Sequence, residues 1–364
     1  VHNELGARCV DFGGWEMPVQ YQGIVAEHLS VRSGAGVFDI SHMGEIMVSG
    51  AHAVDFLDVA LTNRASSLKI GEAQYSLMCN SQGGVIDDLY VYRVAQEAFL
   101  TIVNASRIEN DLSHLNSLIE ELEESLDVNV IDESAKFSAI ALQGPCAVRF
   151  IDSLFETKGL IQVDKPSQLR KNQVDVFLFN ENNVYVACTG YTGEHGFELV
   201  APNEVVVDLW GRLAELGEGY NLTPAGLGAR DTLRMEMGYP LYGNELDETV
   251  TPLEVGLKYF VKLDKPFHGR DRLVSMNGNG IKKRNLAFKM SAKSPPPRGG
   301  YSVFVKDEQV GIVTSGTQSP SLGIGIGMAF IDVPHANIGT NIEVEIRGRR
   351  FPAELTKKPI YKKR

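Results

Sequence analysis

The sequence predicts an α+β protein of more than one domain, and three observations carry that prediction. A chain of 364 residues exceeds what one ordinary core accommodates. Apolar residues recur at helical spacing in some stretches and alternate in others, without the regular strand–helix–strand rhythm of a doubly wound fold. Beyond residue 300 the chain offers short strand-like runs between glycines and no convincing helix.

The first helical segment is a weak one over 51–61, AHAVDFLDVAL. The clearest covers 105–128, where Ile108, Leu112, Leu115, Ile119, Leu122 and Leu126 line one face of an otherwise charged cylinder. A third covers 203–217, with Asn203 placed to cap its start and Gly217 its end. All three read as core-packing elements. Strand-like runs lie between them: GEIMVSG, QYSLMCN, GVIDDLYVYRV, AFLTIVNAS, FSAIALQG, DVFLFN and NVYVACTG. The segment SPPPRGG (294–300) breaks any regular element. Five short strands follow it, YSVFV, QVGIVTSG, GIGMAFI, NIEVEI and RRFPAELT, and they predict a small barrel or sandwich. The boundary falls near 265–282, around the polar MNGNGIKKR, giving domains over 1–265 and 282–364.

Composition bounds the function. With 43% hydrophobic and 22% charged residues, the chain reads as soluble and globular. No apolar run approaches the ~20 residues of a membrane span, and no basic, apolar leader opens the chain at Val1. Cys9, Cys79, Cys146 and Cys188 are scattered, without C-x-x-C pairing, which fits a reducing compartment and buried thiols. The cytoplasm is the expected location, or the mitochondrial matrix if a targeting peptide preceded Val1. Net charge is −11, yet residues 281–364 carry 15 Lys+Arg against 6 Asp+Glu. A basic end on an acidic body suits an anionic partner or ligand tail; solvated surface lysines are the plainer reading. Nucleic acid is not expected, because no aromatic–basic interleaving accompanies the charge.

Chemistry concentrates in GGVIDDLYVY, residues 83–92. Asp is disfavoured in strands, and successive strand side chains point to opposite faces. Asp87 therefore shares a face with Val85, Leu89 and Val91, and Asp88 with Tyr90 and Tyr92. An acid among phenols can wall a pocket for a flat ligand; two exposed edge acids are the alternative. Metal binding is not expected, since no His/Asp/Glu cluster has ligand spacing. In CTGYTGEHGFELV, Gly190, Gly193 and Gly196 permit tight turns, and Glu198 faces away from Phe197 and Leu199, free to accept paired N–H donors. His195 reads as a turn-surface residue. In AGLGARDTLRMEMGYPLYGNELDE the glycines do not make a dinucleotide fingerprint. There Arg230, Asp231, Arg234 and Glu236 mix charges in a segment that reads as helical, and arginine either takes a carboxylate ligand or pairs internally with an aspartate. His42 of FDISHMGE reads as an orienting, structural histidine.

These segments, in this order, closely resemble the aminomethyltransferase (T-protein) family of the glycine cleavage system. The likeness runs from GARCVDFGGWEMPVQY through AQYSLMCNSQGGVIDDLYVY, ALQGP, TGYTGEHGFEL and AGLGARDTLRMEMGYPLYGNELDE to GIVTSGTQSPSLG and KKPIYKKR. It implies two interleaved α/β domains, the first discontinuous, plus a C-terminal small β-barrel around a central folate cavity. It also implies tetrahydrofolate as cosubstrate and lipoylated H-protein as carrier partner, with ammonia and 5,10-methylenetetrahydrofolate as products. By position, Asp88 matches the acid beside the folate nitrogens. Tyr75, Tyr92, Asn104, Tyr191 and Tyr239 match residues lining the folate site, and Glu198 matches the acid at the pterin edge. Arg230 matches the arginine of the G-A-R-D motif. The tail, Lys362-Lys363-Arg364, is shorter than in relatives whose last residues touch the ligand. Folate-dependent demethylases share the scaffold and stand as the alternative activity; a non-catalytic folate binder is disfavoured by the intact motifs.

Overall fold

A computed structural model describes residues 1–122, 126–291 and 294–363, and the chain divides into two units. The first comprises Val1–Met78, Ile86–Arg230 and Lys265–Phe267. The second comprises Cys79–Val85, Asp231–Asp264 and His268–Arg364.

The first unit opens with an antiparallel hairpin, β1 (Arg8–Phe12) and β2 (Trp15–Gln20). Gly13 and Gly14 close it with φ of 63° and 88°, the left-handed geometry a two-residue hairpin turn demands. Helix α1 (Ile24–Ser33) leads into β3 (Ala35–Asp39) and β4 (Gly44–Ser49), then α2 (Ala53–Ala60), β5 (Ala73–Cys79), β6 (Val85–Ala95), β7 (Ala98–Val103), α3 (Ile108–Leu122) and β8 (Asn129–Asp132). After them come β9 (Phe137–Gln143), β10 (Val174–Phe179), β11 (Asn182–Ala187), β12 (Gly196–Pro202), α4 (Asn203–Gly217), β13 (Leu222–Pro224) and α5 (Leu227–Met237), whose residues through Arg230 belong to this unit.

Two sheets form from these strands. One runs β5-β6-β7-β4-β8, the other β10-β11-β12-β9-β3-β13, in which β13 joins β3 in parallel. On the first, Ile46, Val48, Leu89, Val91 and Phe99 pack under Phe56 and Leu57 of α2 and Leu115 and Leu118 of α3. On the second, Leu142, Phe177, Val186 and Leu199 pack with Leu209 and Leu213 of α4. Each such buried side chain contributes about 1.5–3 kcal/mol. The opposite faces meet through Tyr92 and Leu100 from one sheet and Val174 and Ala187 from the other. The unit is therefore layered, with helices outside and two sheets facing each other. Asp88, Tyr90 and Tyr92 lie on the inner side of that arrangement, and Asp87 on the helix side.

In the second unit, α6 (Arg270–Asn279) precedes six strands: β14 (Lys283–Met290), β15 (Ser302–Val305), β16 (Glu308–Gln318), β17 (Gly325–Asp332), β18 (Asn341–Ile346) and β19 (Arg349–Thr356). They close into a barrel in the order β14-β17-β16-β15-β18-β19, filled by Phe288, Val303, Val313, Ile331, Val344 and Leu355. The barrel that the resemblance implied is present. Its first strand, KRNLAFKM, escaped sequence reading because alternate Lys and Asn obscure the apolar half of the pleat. Glycines at 311 and 327 are dictated by space: a Cβ on Gly311 would lie 2.1 Å from the Phe330 carbonyl oxygen, and one on Gly327 2.3 Å from the Phe288 ring.

Some expectations need correction. The described part of the long helix ends at Leu122, and 123–125 lie outside the described residues. Asn203 does not cap α4; it is the first helical residue, and its side chain instead accepts the Ser138 hydroxyl (2.6 Å) and donates to the Ala135 carbonyl (2.8 Å). Gly217 ends α4 with an ordinary negative φ; a Cβ there would meet Leu222 at 2.4 Å, so packing and not handedness selects glycine. The hairpin and α1 were not foreseen, since α1 has little amphipathic contrast and buries Glu27, His28 and Arg32. Glu27 is satisfied there: its carboxylate accepts the main-chain N–H groups of Tyr21 (2.6 Å), Gly23 (3.0 Å) and Gly226 (3.0 Å). Among the described residues no helix is long and apolar enough to cross a membrane.

Glu45 of β4 is not satisfied. It is fully buried, and neither carboxyl oxygen meets a hydrogen-bond donor among the described residues. Burial, reinforced by the charge of Asp132, pushes its pKa up to about 8. A group whose folded pKa lies above its unfolded value carries more protons folded than unfolded between the two, so stability falls as pH rises from about 4.5 towards 8. Glu45→Gln removes the titration without changing shape. The wild-type melting temperature should therefore drop relative to this variant from pH 5 to pH 8, with a limiting slope of ~1.4 kcal/mol per pH unit. Parallel melting curves across that range would contradict it.

Candidate functional site

The site is built on the first residues of β6. Because that strand is internal to its sheet, Asp87 and Asp88 are not edge decoration, and the pleat sends them to opposite faces. Asp88 keeps some accessible surface, yet burial is the largest influence on it and raises its pKa. Two donors oppose that rise. The Tyr75 hydroxyl donates to Asp88 Oδ2 at 2.8 Å, and the Asn104 side-chain amide donates to Asp88 Oδ1 at 2.9 Å. Tyr75 is itself pushed well above the ordinary phenol range by burial and by the Asp88 charge, so it stays protonated and keeps donating.

A row of rings extends from this carboxylate. Tyr75 meets Tyr90 edge-on at 5.9 Å, and Tyr90 stacks on Tyr92 at 5.9 Å. The Tyr92 hydroxyl lies 3.3 Å from Thr189 Oγ1, which donates to Glu198 Oε2 at 2.5 Å. Glu198 keeps the orientation read from the pleat: Phe197 and Leu199 are fully buried behind it. Tyr191 adds its phenol near Tyr75, and the Arg230 guanidinium lies 4.9 Å over the Tyr191 ring. Such a cation–ring contact is worth about 0.5–2 kcal/mol. Tyr75, Asp88, Tyr92, Asn104, Tyr191, Glu198 and Arg230 thus all belong to the first unit. Tyr239 belongs to the second, where its main-chain N–H donates to the Arg234 carbonyl (3.1 Å) and its carbonyl accepts from Arg234 Nη1 (3.0 Å). Arg364, at the end of the tail, lies outside the described residues.

Within this segment Arg234 pairs with Asp231 (2.8 Å) and meets Glu245 at 3.2 Å. His42 is buried, edge-on to Phe12 at 5.4 Å, with Nδ1 lacking a partner among the described residues. Burial and the Arg230 charge lower its pKa to about 4, so it is neutral at physiological pH. His195 is exposed, as its turn position suggested.

Two supports of the loop 188–195 and the start of β12 were missed in the sequence. Gln143, 1% exposed, donates through Nε2 to the carbonyls of Thr189 (3.0 Å) and Phe197 (3.4 Å) and accepts the Thr192 hydroxyl (2.9 Å). A Cβ on Gly190 would lie 2.0 Å from its side chain, and one on Gly196 2.5 Å, so these glycines make room for Gln143; only Gly193 (φ 79°) needs left-handed backbone. Arg32 of α1 donates to the Thr192 carbonyl at 2.7 Å and pairs with Glu194 at 3.1 Å, both side chains buried. The available signal was a polar Gln closing the apolar run FSAIALQ.

Chemically, the face offers two carboxylates as acceptors, phenols for stacking and a cation at one side. Among the described residues no group of three or more His, Cys, Asp or Glu side chains is arranged to hold a metal ion. Loss of the Tyr75 hydroxyl should raise the Asp88 midpoint, because a hydrogen bond to the charged form has been removed. A charge-assisted bond of about 1.5–3 kcal/mol corresponds to roughly one to two pH units. Carbon-13 NMR titration of Tyr75→Phe is the measurement, and a midpoint that stays put or falls would overturn this account.

Residues 1–265 match the family model described as the GCVT N-terminal domain, and residues 283–362 that described as the glycine cleavage T-protein C-terminal barrel domain. The chain is 42% identical over 361 residues to an aminomethyltransferase of Alkaliphilus oremlandii, covering 99% of this chain and 95% of that protein. It is 42% identical over 372 residues to an aminomethyltransferase of Thermoanaerobacter pseudethanolicus, covering 100% and 96%. The crystal structure of the glycine cleavage system aminomethyltransferase T from Bartonella henselae superposes with a TM-score of 0.89 at 31% identity, covering 99% of this chain and 96% of that one.

Proposed function

This chain belongs to the glycine cleavage T-protein family of aminomethyltransferases, and from that premise we propose how its residues perform the transfer. The reaction moves the methylene carbon of an aminomethyl group from the lipoyl arm of H-protein to tetrahydrofolate. Two C–N bonds form to the folate nitrogens, while one C–S and one C–N bond break. The two protons that leave those nitrogens end on the lipoyl sulfur and on the departing ammonia, so atoms balance.

The face described above suits tetrahydrofolate by the character of its donors and acceptors. A reduced pterin presents flat surface and clustered N–H donors, and this face presents stacked phenols and two carboxylates. Tetrahydrofolate would supply two nucleophilic nitrogens when bound. Glu198 would accept N–H donors at the pterin edge, Tyr75, Tyr92 and Tyr191 would line the ring system, and Arg230 would engage the anionic end. Asn104 would hold Asp88 in place. Asp88 would accept the proton, or the hydrogen bond, of the weakly nucleophilic aryl amine, sharpening its attack. Burial raises its pKa and with it its basicity, while its two hydrogen bonds favour the charged form.

The single observation that carries this reading is Asp88, held by two donors on the inner face of an internal strand. A positioned acid–base group contributes about 10²–10⁴-fold. Asp88→Asn should therefore lose ~10²–10⁴-fold in methylenetetrahydrofolate formation while still binding tetrahydrofolate by calorimetry. Full turnover in that variant would remove Asp88 from the mechanism. In the same assay, ammonia release should require the aminomethylated lipoyl carrier, and release from free methylated amines alone would favour a demethylase instead.

A further inference from the structure

Behind β6, on the face turned away from the tyrosines, lies a second pair of acids. Asp87 and Asp111 are both fully buried, the first on β6 and the second in the first turn of α3. Asp87 accepts the main-chain N–H of Asn104 at 3.0 Å and the Asn104 side-chain amide at 2.8 Å. That same amide nitrogen reaches Asp88 Oδ1 at 2.9 Å and the Asp88 carbonyl at 3.1 Å. One side chain thus ties the acid behind the strand to the acid in front of it. Neither oxygen of Asp111 meets a donor among the described residues; Asp111 lies one turn before Leu115 on the α3 stripe that packs over Asp87's side of β6, close enough for the two carboxyls to influence each other. Two carboxyl groups hydrogen-bond only when one of them keeps its proton.

Among the described residues, Asp88 on the same strand and Arg107 at the entry to α3 bear on the pair. The Arg107 Nε–H donates to the Ile86 carbonyl at 2.9 Å. The Arg107 charge opposes the rise at Asp111 without cancelling it. Burial is the largest influence raising Asp87 and Asp111; the Asp88 charge raises both, Asp87 raises Asp111 further, and Asn104 gives its donors to Asp87 and Asp88.

We propose that Asp87 and Asp111 share one proton and serve as a positioning pair for Asp88, with Asn104 as the link. The proton resides on Asp111, which donates to Asp87. Asp87 stays an acceptor, fixes the Asn104 amide, and Asn104 in turn holds the Asp88 carboxylate. Loss of the shared proton would place three negative charges around one amide and disorganise the acid in front of the strand. The functional part rests on the reading of Asp88 given above; the shared proton itself does not.

The test uses the full chain with carbon-13-labelled aspartate, comparing wild type, Asp111→Asn and Asp111→Leu. Wild type should show a buried, protonated aspartate carboxyl at pH 7 that is missing from Asp111→Asn. The amide introduced by Asp111→Asn can still donate to Asp87 but cannot ionise, whereas the alkyl chain introduced by Asp111→Leu can do neither. Turnover should fall at least tenfold in Asp111→Leu and recover most of that loss in Asp111→Asn, whose pH–kcat profile should also lack the wild-type alkaline limb. Absence of a protonated carboxyl in wild type, or its survival in Asp111→Asn, would overturn the shared proton whatever Asp88 does. Equal kcat and identical pH profiles in the two variants would overturn the positioning role. If Asp111→Leu does not fold, the labelled spectra and the alkaline limb of Asp111→Asn decide the matter.

Discussion

The arrangement in the first unit depends on one side-chain amide wedged between two carboxylates. Buried like charges repel one another and lose their hydration, and only donors delivered by the fold make them tolerable. Asn104 delivers such donors to Asp87 and Asp88 at 2.8 and 2.9 Å, and its own main-chain N–H adds a third bond. It stands directly after β7, the neighbour of β6 in the sheet. Strand pairing therefore fixes the amide, and the amide fixes the acids. Tyr75 comes from the neighbour on the other side, so Asp88 is held from both flanks of its own strand.

Rigidity elsewhere in this unit follows a similar pattern, in which buried polar groups organise irregular backbone that no ladder could hold. The loop carrying Tyr191 has no regular structure of its own. Gln143 ties it by the Thr189 carbonyl and the Thr192 hydroxyl while also holding the Phe197 carbonyl of β12, and Arg32 ties it by a carbonyl and a carboxylate. Removing a partner from such a network exposes the survivor to the full desolvation penalty, about 1–3 kcal/mol for a neutral group and more for a charged one. These bonds fix the path of the loop, and its tyrosine lies under Arg230. Glu45 and His42 show the opposite case, buried polar groups whose atoms lack partners among the described residues. Each escapes the cost of a buried charge by remaining neutral, one protonated and the other deprotonated at neutral pH.

Much of this was legible in the residues themselves. Period-two alternation in VIDDLYVY assigned Asp87 and Asp88 to opposite faces, and the same alternation in GFEL turned Glu198 away from its apolar neighbours. The spacing of α3 and α4 identified their buried stripes, because a helix with one apolar face has only one way to lie on a sheet. Long motifs in register gave the family, and the barrel came with it. Signals failed where pattern was weak. Helix α1 buries Glu27, His28 and Arg32, so its polar residues disguise a core-facing side. Strand β14 alternates lysine and asparagine with apolar residues, which leaves no clean run to read. Asn203 looked like a cap but found better partners in Ser138 and Ala135.

By itself the sequence determined the local physics: which stretches alternate, which repeat helically, where glycine allows a turn, and which acid shares a face with tyrosines. Those properties depend on neighbours within a few residues, so the chain order contains them. Tertiary structure alone decided which distant groups meet. The bond from Tyr75 to Asp88, the reach of Arg32 to Glu194 and the approach of Asp111 to Asp87 span 13, 162 and 24 positions, and no local pattern encodes such pairings. The ionisation of each buried acid was settled at that level too, because desolvation and partner charge exist only once the fold has closed around it.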